Sequence, residues 1–277
     1  MRTQTIELAK LSGSGNDFIL IDNRAGVVDE TRLHDFVVGL CRRRMSVGAD
    51  GLILIENPRD GHDFRWRFFN ADGSAGEMCG NGARCAARFA HLIGIAGPRL
   101  SFETDAGVIH AEVDGDRVRI GMPDAMTEGP PFEIPLAVGT MTVSRVHTGV
   151  PHVVVPVPDA DPIDVVALGR EIRWHDAFAP AGANVNFVSP DGSGGIYNRT
   201  YERGVEDETL ACGTGSVASA LVMASLNGVR PPVSVLTRSG GRLTVGFEGG
   251  GGRYTEIFLE GDARFIYKGE LGADAWQ

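Results

Sequence analysis

The chain has 277 residues with a globular apolar content, enough to bury one large core or two smaller ones, and two is the first expectation. Its formal net charge of -10 is spread along the chain and its densest basic run is only Arg42–Arg44, which argues against nucleic acid or an anionic membrane as a partner. Four cysteines are too few to staple so long a chain; reduced thiols are expected, and Cys79 and Cys85 lack a zinc-ligand spacing.

The opening stretch Met1–Glu7 carries neither an apolar signal core nor an Arg/Ser-rich transit pattern, so the expected location is the cytoplasm. Alternating apolar residues then predict strands near Ile6–Leu11 and Phe18–Asp22, a helix near Thr31–Arg42, and strands near Leu52–Glu56 and Phe64–Phe69. A helix near Gly82–Ile93 is followed by strands near Leu100–Thr104, Val108–Val113 and Arg117–Met122. The same order then returns, with strands near Thr142–His147 and Val153–Val157, a helix near Asp164–Arg173, and strands near Asn184–Val188 and Ile196–Tyr201. A helix near Thr214–Leu226 and strands near Val233–Thr237, Leu243–Phe247 and Tyr254–Leu259 close the pattern. The uncharged stretch from Leu210 to Val229 is rich in Gly, Ser and Thr, which fits a buried helix better than a membrane span.

Both copies align on a Cys-Gly-x-Gly step, at Cys79 and at Cys212. Gly51 and Asn184 lie 28 residues before the cysteine, Asn70 and Arg203 nine before it, Thr104 and Thr237 25 after it, and Gly107 and Gly240 28 after it. Coincidence among short strands and common glycines is the alternative to a duplication. Two homologous lobes, 1–122 completed by 264–277 and then 123–263, are expected to bury one helix each and leave a cleft between them.

Each cysteine stands where a loop runs into a predicted helix. The unpaired N–H groups and partial positive charge of a helix start lower a thiol pKa and bind carboxylate. Glycines at 80, 82, 213 and 215 permit close approach of such a ligand. Inverting an amino-acid centre needs a base on one face of the carbon and an acid on the other, and two interacting thiols sharing about one proton supply both. The chain has only two lysines, Lys10 and Lys268, in no cofactor-binding pattern, so pyridoxal phosphate is not expected. A single Cys-Gly-x-Gly reads equally as a buried thiol before a tight helix; Cys41 and Cys85, without glycines in support, read as core residues.

Gly13-Ser-Gly-Asn-Asp-Phe, Gly48-Ala-Asp-Gly, Asn70-Ala-Asp-Gly-Ser, Met78-Cys-Gly-Asn-Gly-Ala-Arg-Cys, Tyr201-Glu-Arg-Gly and Ala211-Cys-Gly-Thr-Gly together resemble the motif set of diaminopimelate epimerase, over nearly the whole chain. The resemblance implies an α/β (α+β) fold of two pseudo-symmetric lobes, each a mostly antiparallel, barrel-like sheet around a central helix. It also implies a cofactor-independent isomerase converting LL-diaminopimelate to the meso form, working as a homodimer on this small amino-acid substrate. Cys79 and Cys212 fall on the catalytic pair, and Gly80, Asn81, Gly213 and Thr214 on the backbone donors to the reacting carboxylate. Asn16, Asn70, Asn184, Glu202 and Arg203 match positions that hold the amino groups and the far carboxylate, while His152 and Glu202 match positions that tune the thiols. Three positions depart from the pattern: Val150 replaces an Asn, Gly51 stands where some members have Gln, and Ser12 replaces a His. The rival readings are a two-thiol racemase of another amino acid, and a non-catalytic amino-acid binding or thiol redox protein.

Overall fold

The computed structural model describes residues 5–76 and 78–277. The chain divides into two compact units, one comprising the chain up to Ile120 together with Gly261–Gln277, the other Gly121–Glu260. The first unit runs β1 (Glu7–Gly13), β2 (Asn16–Asp22), α1 (Leu33–Cys41), β3 (Gly51–Glu56), β4 (Phe64–Asn70), β5 (Ala75–Gly76), α2 (Gly80–Leu92), β6 (Arg99–Thr104), β7 (Gly107–Asp114) and β8 (Arg117–Gly121). The second opens with β9 (Ala125–Thr127), β10 (Phe132–Leu136), β11 (Gly139–His147), β12 (Pro151–Pro156), α3 (Val165–Arg173) and β13 (Asn184–Pro190). It continues through β14 (Ile196–Glu202), β15 (Asp207–Thr209), α4 (Gly213–Asn227), β16 (Val233–Thr237), β17 (Arg242–Gly250) and β18 (Arg253–Asp262), after which β19 (Arg264–Glu270) belongs to the first unit again.

In the first unit β19, β1, β2, β3, β4, β6, β7 and β8 pair in that order, antiparallel except at β2–β3 and β4–β6. In the second, β9, β11, β12, β13, β14, β16, β17 and β18 pair in order and β18 returns to β9, closing an eight-stranded barrel. Its parallel pairs, β12–β13 and β14–β16, fall at the corresponding places. A parallel pair needs a crossover, and helices occupy all four: α1 and α3 in the first of each unit, α2 and α4 in the second. The expected repeat of one strand-and-helix order is therefore present.

Leu52, Ile53, Leu54 and Ile55 of β3 are all fully buried, as are Val185, Phe187 and Val188 of β13. A strand covered on both faces reads as a continuous apolar run. In the first unit Val37 and Leu40 of α1 cluster with Ile19, Ile21, Leu52 and Leu54, and in the second Val165 and Ile172 of α3 cluster with Val153, Val185 and Phe187. The other helices fill the interiors. Every residue of α4 from Gly215 to Met223 is buried, and a helix buried all round must be small and self-satisfied. Its Ser216 hydroxyl accordingly donates back to the Cys212 carbonyl at 2.8 Å. No helix among the described residues is long and apolar enough to cross a membrane.

After β19 the chain lies against α1, with the Trp276 ring edge-on to Phe36 at 5.3 Å and the Arg32 guanidinium over it at 4.2 Å. Five short or exposed strands, β5, β9, β10, β15 and β19, were not anticipated by periodicity, and α2 and α4 begin earlier than expected, at Gly80 and Gly213.

Candidate active site

In the first unit Cys79 is the N-cap of α2, in extended conformation (φ -147°, ψ 112°), and its sulfur accepts from the Gly82 N–H at 3.4 Å. Asn81, nearly buried, donates through Nδ2 to Asn16 Oδ1 at 2.6 Å, and Asn16 donates to Asp50 Oδ2 at 3.0 Å. Asn70, at the exposed end of β4, sits across from Gly51 and donates to the Ser74 hydroxyl at 3.0 Å. The Ala71 N–H that follows it donates to the Asp50 carbonyl at 3.1 Å. Asn16, Asn70, Gly80 and Asn81 are thus gathered around Asp50 and the start of α2.

Sequence reasoning missed the group that organises this cluster. Arg84 is completely buried, and its guanidinium donates to Asn81 Oδ1 and Ser14 Oγ at 2.8 Å and to the Gly80 and Asp262 carbonyls at 3.3 Å. Asp262 in turn accepts from the Ser14 N–H and hydroxyl. Burial pulls the Arg84 pKa down, with the Cys85, Asp262 and Cys79 side chains opposing.

In the second unit Cys212, 7% exposed, is the N-cap of α4 (φ -115°, ψ 116°), with its sulfur 3.5 Å from the Thr214 hydroxyl. The Thr214 carbonyl accepts from Thr148 Oγ1 at 3.4 Å. Asn184 opens β13, where its Oδ1 accepts from the Arg203 N–H at 2.8 Å and its Nδ2 donates to the Pro151 carbonyl at 3.3 Å. Its amide therefore ties the Glu202–Arg203 end of β14 to the start of β12. Burial pushes the Glu202 carboxyl up against the opposing Thr209 hydroxyl. His152, paired with Asn184 across β12–β13, is 1% exposed. Burial, reinforced by the neighbouring Arg203 and His147 side chains, pulls its ring down to about 3.

Cys41 and Cys85 are buried, and burial pushes their thiols up to about 11 and about 12, so both stay protonated at neutral pH. Among the described residues no cluster of His, Cys, Asp or Glu is disposed to hold a metal ion.

The His152 shift makes stability pH-dependent in a definite direction. Between its usual pKa of 6.5 and about 3 the unfolded chain carries a proton that the native ring does not. The stabilisation is full above pH 6.5 and is lost as pH falls, at up to about 1.4 kcal/mol per pH unit. Urea unfolding at pH 7.5 and 5.0 is expected to show a wild-type loss greater by about 2 kcal/mol than that of His152→Gln, which has no ring to protonate. Equal losses would refute the assignment.

The chain matches the family model described as "Diaminopimelate epimerase" over residues 8–127 and 144–266. It is 48% identical to the diaminopimelate epimerase of Aquifex aeolicus, over 97% of this chain and 99% of that protein. It is 46% identical to that of Hydrogenobaculum sp., over 95% and 98% respectively. Among solved structures, a hydroxyproline epimerase from Agrobacterium vitis with bound trans-4-OH-L-proline aligns at a TM-score of 0.70 over 98% of this chain and 93% of that one; at 18% identity this likeness shows the fold alone.

Proposed function

The chain belongs to the diaminopimelate epimerase family and is an isomerase that interconverts LL- and meso-diaminopimelate; from that premise we propose that the inversion runs through two sulfurs, those of Cys79 and Cys212, without a cofactor or metal. One observation carries the proposal: in each unit a single cysteine caps the N-terminus of the interior helix.

The two-base reaction requires one sulfur on each face of the substrate Cα. A thiolate takes the Cα proton and the bonding pair stays on carbon, delocalised into the adjacent carboxylate. The opposite thiol then gives its proton to the other face, so the two sulfurs exchange protonation states and either substrate hand can start. The backbone N–H groups of Gly80, Asn81, Gly213 and Thr214 hold the carboxylate, and two helix dipoles favour the charge that builds on it. Arg203 offers a fork to the far carboxylate, and Asn16, Asn70, Asn184 and Glu202 complete the pocket for the distal amino acid. Glu202 and His152 tune the thiols.

Lysine chemistry has poor support. Lys10 is buried against the Gly48 carbonyl and the Asp17 carboxylate, and Lys268 is ion-paired with Glu7 at 3.1 Å. A homodimer in the cytoplasm is the state we propose for the working enzyme.

The test is turnover of LL-diaminopimelate in heavy water by the purified full chain with no cofactor added. The expected product is meso-diaminopimelate with one deuterium at the inverted Cα. Absence of exchange, or a requirement for added pyridoxal phosphate, would overturn the two-thiol reading.

A further inference from the structure

Under the first turn of α4 runs a row of buried polar side chains that the reaction chemistry leaves unused. Strands expose alternate residues to one face, so Asn186 of β13 and Asn198 and Thr200 of β14 share the interior face, with Asn186 directly across from Thr200. Ser219 of α4 donates to Asn198 Oδ1 at 2.9 Å, Asn198 Nδ2 donates to Thr200 Oγ1 at 3.2 Å, and Thr200 Oγ1 donates to Asn186 Oδ1 at 2.9 Å. The Asn186 amide nitrogen donates to the Val153 carbonyl at 3.2 Å and lies 3.0 Å from His152 Nδ1. All five side chains in this chain of contacts are at most 3% exposed.

The direction of the row is forced. The Val153 carbonyl has only lone pairs, so the Asn186 amide must turn its NH2 toward it, and the second N–H of that group then meets His152 Nδ1. Nδ1 must be the acceptor, and a neutral ring with an accepting Nδ1 carries its proton on Nε2. His152 Nε2 is itself buried and has no hydrogen-bond partner among the described residues. Buried donors are rarely left unmade.

The row also lies against the Cys212 helix end. A Cβ placed on Gly215 would stand 2.2 Å from Asn186 Oδ1 and 3.2 Å from Thr200 Oγ1. Glycine three residues after Cys212 is what admits the Asn186 amide, a packing reason for Gly215 additional to close approach by a ligand.

We propose that Asn186 is a positioning residue that locks His152 as the neutral Nε2–H tautomer, so that the ring presents a donor, never a base, to the anionic group bound at the Cys212 end of α4. That anion is the thiolate or the substrate carboxylate, and the proposal rests on the reading of Cys212 as a reacting thiol. His152 then cannot take the Cys212 proton. The proton passing between substrate and sulfur stays in that exchange, and the imidazole acts through its hydrogen bond alone. Thr200, Asn198 and Ser219 hold the amide in register from behind.

The experiment is long-range 1H–15N correlation NMR of the full chain with 15N-histidine, the His152 signals being assigned by their loss in His152→Gln. Wild-type protein is expected to show an unprotonated, accepting Nδ1 and a protonated Nε2, with no titration from pH 5 to 8. A proton on Nδ1, or a ring that titrates in that range, would overturn the proposal without any variant having to fold. In Asn186→Asp the carboxylate accepts from Nδ1–H and favours the doubly protonated ring. Its titration is expected to rise above pH 5, with kcat falling about 10- to 100-fold, as for loss of an outer-shell partner, and KM changing less. Wild-type kcat with an unshifted pH profile would remove the positioning role. Full epimerisation by Cys212→Ala would instead defeat the underlying reading and leave the tautomer result standing.

Discussion

Cys79→Ala and Cys212→Ala are each expected to lower kcat for epimerisation by at least about 10² to 10⁴, the usual worth of a positioned proton-transfer group. The effect should be large in both variants, because inversion needs both sulfurs in every turnover. Neither change threatens the fold. Cys79 is half-buried at a helix N-cap, and Cys212, though buried, gives up only one sulfur atom in exchange for a small cavity. The diagnostic is what each variant keeps. A lone sulfur reaches only one face of the Cα, so any deuterium it introduces from heavy water must enter with the original configuration retained. Exchange without inversion, with opposite substrate-hand preferences in the two variants, is the expected signature. Near wild-type epimerisation in both variants would mean that the sulfurs are not the acid and base.

Much of this was legible in the sequence because the strongest signals are local. Continuous apolar runs such as Leu52–Ile55 mark strands covered on both faces, and the two Cys-Gly-x-Gly steps mark the interior helices. Cysteine is not among the residues favoured at an N-cap, so sequence pattern alone points to Gly82 and Thr214 rather than Gly80 and Gly213 as the first helical positions. The five missed strands offered periodicity nothing to detect. β5, β9 and β15 span two or three residues, β10 contains Pro135, and β19 exposes Phe265, Ile266 and Tyr267 in succession without alternation.

The hidden part of the site is polar and non-local. Asn186, Thr200 and Asn198 did leave a trace, as polar residues at alternate positions, Asn186 between Val185 and Phe187 and Thr200 between Arg199 and Tyr201, although a strand with one wet face gives the same pattern. Arg84 left none. An arginine in a predicted helix reads as a surface cation, and the partners that bury it, Ser14 and Asp262, lie 70 and 178 residues away in the chain. No local window connects them.

Arg84→Ala is accordingly the stability variant with the largest expected effect, a loss of about 3–5 kcal/mol. The guanidinium fills a fully enclosed site and satisfies four acceptors, Ser14 Oγ, Asn81 Oδ1 and the carbonyls of Gly80 and Asp262. Alanine leaves both a cavity and those acceptors. Arg84→Lys keeps a charge but cannot span all four, so its loss should fall between wild type and alanine. Urea unfolding of the full chain measures the order, and an alanine variant within about 0.5 kcal/mol of wild type, the range of an ordinary surface change, would refute it. Activity should fall as well, since Asn81 then loses the bond that orients it toward Asn16 and, through it, Asp50. A cation in the first turns of a helix also opposes the helix dipole. Its presence beside the Cys79 end of α2 adds to the positive potential there, which suits a thiolate and a bound carboxylate better than it suits the helix alone.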